Sequence, residues 1–101
     1  MRTDIYTVYK ATSPKGKCYV GITSYSLENR INGHVKASKR NDKRFCRFQN
    51  AIKKYKETIS WEVLELCSSK EEALFLEKYY VKYYDSNNRK FGYNSTAGGD
   101  S

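Results

Sequence analysis

The sequence contains no apolar run approaching the roughly 20 residues that a membrane-spanning helix needs. No apolar segment follows the polar start Met1-Arg2-Thr3-Asp4. No secretory signal is therefore visible, and an intracellular setting, cytoplasmic or nucleoid-associated, is expected. Cysteine is sparse. Cys18, Cys46 and Cys67 are odd in number, far apart and without a CxxC pair, which argues against a disulfide framework. With the single histidine, His34, they reach four metal ligands by count, but the paired spacing of a structural zinc site is missing. Three reduced thiols is the simpler reading. Internal repeats and low-complexity tracts are absent. A chain of 101 residues has room for one modest core and no second.

Aromatic residues are plentiful at 15%, ten of them tyrosine. They favour a folded core over disorder, although only 39% of residues are apolar. The net charge is +8, which points to polyanions and first to nucleic acid. That charge is concentrated. Positions 36, 39, 40, 43, 44, 47, 53, 54 and 56 are Lys or Arg, against the single acid Asp42, so this strip alone nets +8. From Glu57 to Glu77 there are six acids and one base, Lys70. A run of charge is as readily a solvated helix face. Here, though, Phe45, Phe48 and Tyr55 interleave with the cations, as in a phosphate-binding surface. Lys36, Lys39, Arg40, Lys43, Arg44, Arg47, Lys53 and Lys54 are the candidate nucleic-acid contacts.

Residues 5–10 alternate β-branched and aromatic side chains and read as a strand. Ser13-Pro14-Lys15-Gly16 is a turn, and residues 17–22 read as the returning strand of an antiparallel hairpin. Gly21, inside that strand, suggests a bulge or the close approach of another group. A helix capped by Ser24 or Ser26 is expected to run to about Arg40, with Leu27, Ile31 and Val35 inward and Arg30 and His34 stacked one turn apart. A second helix is expected over about 44–56, a third strand over 59–67, and a third helix from the capping boxes Ser68/Glu71 and Ser69/Glu72 to about Tyr84. The order ββααβα gives an α+β fold, a small three-stranded antiparallel sheet flanked by three helices.

The third helix holds a misplaced carboxylate. Its inward face should carry Ala73, Leu74, Tyr80, Val81 and Tyr84. At about 100° per residue, Glu77 falls in the middle of that arc. Burying a charged carboxylate costs several kcal/mol unless it is paired or metal-bound. Glu77 therefore either pairs with a cation at the mouth of the core or is held there for chemistry, most naturally to carry a hard cation such as Mg²⁺.

Thr7-Val8-Tyr9 followed by Tyr19-Val20-Gly21 resembles the GIY-YIG nuclease family, named for two tripeptides on adjacent strands. The second tripeptide is a close match. For the first, Thr7-Val8-Tyr9 is the better-spaced candidate, ten residues before Tyr19, and Asp4-Ile5-Tyr6 is the rival that is closer in letters; neither begins with Gly. The family's Arg-x-x-x-His matches Arg30 and His34, its helix-borne glutamate matches Glu77, and its Gly-Tyr-Asn matches Gly92-Tyr93-Asn94. The resemblance spans residues 5–95, so residues 1–95 form the expected nuclease-like domain and 96–101 a tail or the start of a linker.

The resemblance implies Mg²⁺-dependent DNA endonuclease activity, with Mn²⁺ as a substitute; the lack of a membrane-length apolar run leads to the expectation of no membrane partner. It implies that Glu77 holds one metal ion and that Arg30 stabilises the phosphate. Tyr9 is the candidate general base. Nearby cations could bring its pKa of about 10 down, or His34 could relay its proton. Tyr19 would orient water or phosphate, and Asn94 would position Tyr19, Glu77 or the phosphate. Phage-type homing endonucleases of this family carry a DNA-targeting segment after such a domain. The expectation here is either the catalytic part of a longer protein or a nuclease of low sequence selectivity.

Overall fold

The computed structural model describes residues 5–39, 47–55, 58–88 and 90–94. Strand β1, Tyr6–Thr12, turns back through Ser13–Lys17 into strand β2, Cys18–Thr23. Gly16 closes this turn at a φ of 84°, where a side chain would be strained. Backbone bonds from Ser13 N–H to Lys17 O and from Gly16 N–H to Ser13 O, both 2.9 Å, fasten it. Helix α1, Leu27–Lys39, starts at Ser26 rather than Ser24. The Ser26 hydroxyl accepts from Asn29 N–H at 3.2 Å, as an N-cap does. Helix α2 spans Arg47–Tyr55 and strand β3 spans Ser60–Cys67. Helix α3, Lys70–Tyr84, is capped by Ser69, whose hydroxyl accepts from Glu72 N–H, and ends at Asp85 in the left-handed conformation.

The sheet order is β2-β1-β3 with both pairings antiparallel, so the expected α+β architecture is the one observed. The β1–β3 register shifts between Val8, opposite Glu65, and Tyr9, opposite Val63. This bulge at Leu64 changes which side chains face which layer. Beyond it Cys67 joins the layer that strict alternation would have denied it.

Two cores form on the two faces of the sheet. Val8, Val20 and Ile22 pack with Cys67 and with Ala73 and Val81 of α3. Ala11 packs with Phe48, Ala51 and Ile52 of α2, with Ile59 and Tyr93, and with half-buried Val35 of α1. Leu74, Tyr80 and Tyr84, expected on the inward face of α3, are half-buried and pack at the margin of the first core. The segment Gly92-Tyr93-Asn94 docks beside the start of β2: Cys18 N–H bonds to Phe91 O at 3.1 Å, and Tyr93 N–H to Cys18 O at 2.9 Å. Gly92 lies so close to the Ser86 backbone that a Cβ would collide with it. Cys18 and Cys67 are buried free thiols, and Cys46 lies outside the described residues, as do 96–101. Among the described residues no helix is long and apolar enough to cross a membrane.

Candidate active site

The hairpin register puts Tyr9 directly opposite Gly21 and Ala11 opposite Tyr19. Successive side chains alternate across a strand, so Tyr9, Tyr19 and Gly21 share one face. The missing side chain at Gly21 is what lets the Tyr9 ring lie there. A Cβ on Gly21 would sit 2.5 Å from Tyr9 Oη, so the close approach suggested by the sequence is the phenol itself.

Arg30 and His34, one turn apart on α1, converge on that phenol. Arg30 Nε–H donates to Tyr9 Oη at 3.2 Å, and Tyr9 Oη lies 2.8 Å from His34 Nε2. Burial, and after it the charge of Arg30, holds the imidazole down from 6.5 to about 4, so it is neutral near pH 7. With the phenol oxygen accepting from Arg30, we assign its single proton to a bond toward Nε2. Packing fixes the imidazole. It stacks on Trp61 at 5.9 Å between centroids and meets the Phe48 and Tyr19 rings edge-on at 5.0 and 5.7 Å. Tyr19 is held in turn by parallel stacking on Phe48 at 4.0 Å.

The electrostatics differ from one sequence expectation. Nearby cations do not bring the Tyr9 pKa down. Burial raises it above its ordinary 10, Arg30 offsets only part of that, and Glu77 adds to the rise. The resting phenol is therefore protonated. On the other side, burial works against the charge of Arg30, but the Tyr9 phenol, and after it Tyr19, more than compensates and its pKa moves up.

Glu77 is buried, 3% exposed, between Ala73 and Val81 on α3, where the helical wheel put it. Its charge reaches the Tyr9 phenol from the layer opposite α1. Asn94 clamps the backbone at Val20: its Oδ1 accepts from Val20 N–H and its Nδ2–H donates to Val20 O, both at 2.9 Å. Ser86 Oγ–H donates to the same Oδ1 at 2.7 Å. Val20 lies between Tyr19 and Gly21, so these bonds fix the strand that carries both. Tyr6, the rival motif tyrosine, is half-buried against the α3-side core, while Tyr9 meets Arg30 and His34.

Of the basic strip, Lys36, Lys53 and Lys54 are exposed on α1 and α2. Lys39 ends α1 and Arg47 begins α2. Arg40, Lys43 and Arg44 lie outside the described residues. Trp61 and Ser86 escape a reading of the sequence. Trp61 has a signal, since a lone Trp in a strand facing a helix with a His is a stacking candidate. Ser86 has none, because a serine after a helix reads as a turn residue.

An alanine-substituted mutant of the catalytic domain of intron endonuclease I-TevI has a similar fold. The TM-score is 0.78 at 19% identity, over 95% of this chain and 99% of that one. Among curated proteins none matches the sequence. The family model of the GIY-YIG catalytic domain matches residues 5–94, which takes in both tripeptides, Arg30, His34, Glu77 and Asn94. The chain belongs to the GIY-YIG catalytic-domain family, and its domain is a nuclease domain.

Proposed function

We propose that this domain is a DNA endonuclease that hydrolyses phosphodiester bonds with a single Mg²⁺, or Mn²⁺ in its place, held by Glu77. The observation that carries the reading is the convergence of Arg30 and His34 on one buried phenol, within reach of the charge of a buried carboxylate. Among the described residues no three His, Cys, Asp or Glu side chains cluster as a metal cage. A single hard carboxylate suits Mg²⁺, which keeps several waters and binds through one or two carboxylates plus phosphate oxygens. When bound, the ion supplies Lewis-acid stabilisation of charge growing on the phosphate.

The residues of the chain do the rest. Arg30 already donates to the Tyr9 phenol through Nε and is hydrogen-bonded to Tyr19, and its remaining N–H groups suit phosphate oxygens. Tyr9 accepts the proton of the attacking water while its own proton moves to His34 Nε2. The concerted transfer avoids a free phenolate, which burial makes costly here. Burial is the larger cause of the low His34 pKa, but an anionic phosphate beside Arg30 would counter the part due to that cation and so raise the basicity of the acceptor. Tyr19 orients the water or a phosphate oxygen. Asn94 acts by positioning Tyr19 through Val20. The exposed lysines of the 36–56 strip would hold the duplex by its phosphates without reading bases.

Supercoiled plasmid incubated with the protein, with Mg²⁺ or with EDTA, tests this reading. Relaxed or linear product is expected only with the metal. DNA binding without cleavage under every metal condition would instead identify a non-catalytic nucleic-acid-binding module on the same scaffold.

A further inference from the structure

A cavity of about 330 Å³ opens where β1 begins and β2 ends. Arg30 is part of its wall, so the cavity and the site around Tyr9 share this side chain. Its second cation is Lys70, the first residue of α3. Among the described residues no carboxylate lines it, although the chain has eleven acids. The acids next to Lys70 in sequence are not in the wall, and Glu72 engages the Cys67 thiol instead. Among the described residues Lys70 makes no ion pair. The remaining wall is Tyr6, Ile22, Thr23, Ser24 and Tyr25. Tyr25 stands at the rim, 49% exposed, and its backbone N–H donates to Thr23 Oγ1 at 3.0 Å, which fixes the loop.

Two cations with no carboxylate beside them among the described residues of the wall, together with a half-open aromatic ring, suit a group that is anionic at one end and flat at the other. The volume is at the small end of ligand cavities, about 300–1,000 Å³, and fits one nucleotide unit. We propose that this cavity seats the nucleotide next to the scissile phosphate, with Lys70 on its phosphate and the Tyr25 ring against its base. The proposal rests on the endonuclease reading of the Arg30 site and assigns the strand's path across it. Lys70 and Tyr25 are then positioning residues that hold the scissile bond against Arg30.

Binding to a short duplex, followed by fluorescence anisotropy over a salt series, tests it together with single-turnover cleavage in Mg²⁺. Lys70→Ala is expected to weaken binding about tenfold and to lower the salt slope by about one. Lys70→Arg should restore both, which a merely structural lysine would not require. Tyr25→Ala is expected to weaken binding about tenfold at an unchanged slope. Circular dichroism should show all three variants folded. Wild-type cleavage with binding and slope unaltered in Lys70→Ala and Tyr25→Ala would overturn the nucleotide site alone. DNA bound but never cut by the wild type, with the Lys70 effect intact, would keep the nucleotide site and overturn the endonuclease reading.

Discussion

Acidification should destabilise this fold through one side chain, His34. The imidazole is 8% exposed, wedged among Tyr19, Phe48 and Trp61 beside the Arg30 charge, and its pKa is held at about 4. In the unfolded chain it takes up a proton near 6.5. Between those two values the unfolded state binds the proton and the folded state does not, so stability falls as pH falls. The contribution is complete above 6.5, declines from there toward 4, and levels off below. At about 1.36 kcal/mol per pH unit, the full loss is about 3 kcal/mol. Carboxylates titrate in the lower part of this window, so His34→Gln is the reference. The difference in urea-unfolding free energy between wild type and variant should shrink by that amount between pH 7 and pH 4. Because His34 is the single histidine, its imidazole NMR signal reports the folded-state titration without assignment. A midpoint near 6.5, with a pH-independent stability difference, would refute the enclosure of the ring against Arg30.

Other perturbations follow from the same geometry. Gly21→Ala places a methyl 2.5 Å from Tyr9 Oη and 2.7 Å from its Cζ, so the phenol must leave Arg30 and His34. Single-turnover cleavage should drop about 100-fold, the scale of a small misplacement, and a wild-type rate would show that the phenol's position is immaterial. Asn94→Ala leaves the buried N–H and C=O of Val20 without the amide that pairs both. It should lower unfolding free energy by at least about 2 kcal/mol in urea titrations. Ser86→Ala should cost less, since it removes a bond into Asn94 Oδ1 and leaves the Val20 pair in place. Replacing Lys53 and Lys54 together by Gln should reduce the salt dependence of DNA binding by up to about two in the slope; an unaltered slope would remove these lysines from the DNA surface.

Local patterns carry much of this in the sequence. The hairpin is legible because Ser13-Pro14-Lys15-Gly16 separates two β-rich runs, and the start of α3 because Ser69 and Glu72 sit at capping distance. Glu77 stands out because a helix has one period, and a charge in the middle of an apolar arc violates it. What stays hidden depends on contacts between distant parts of the chain. The Asn94 clamp joins residues 74 apart, and the Tyr93 hydroxyl donates to Ser13 Oγ across 80. The bulge at Leu64 carries no composition signal, yet it decides that Cys67 faces α3. The protonation state of Tyr9 is equally out of reach. It turns on whether burial or Arg30 prevails, and only the packing of the ring decides that burial does.

On the proposed mechanism, Glu77 is a carboxylate kept buried for chemistry rather than for stability. Its most direct test is Glu77→Gln, a substitution of nearly the same shape, with cleavage and DNA binding measured on the same preparation in Mg²⁺ buffer. Loss of detectable nicking, with binding kept within about tenfold of wild type, is the expected result. Nicking equal to wild type would contradict it.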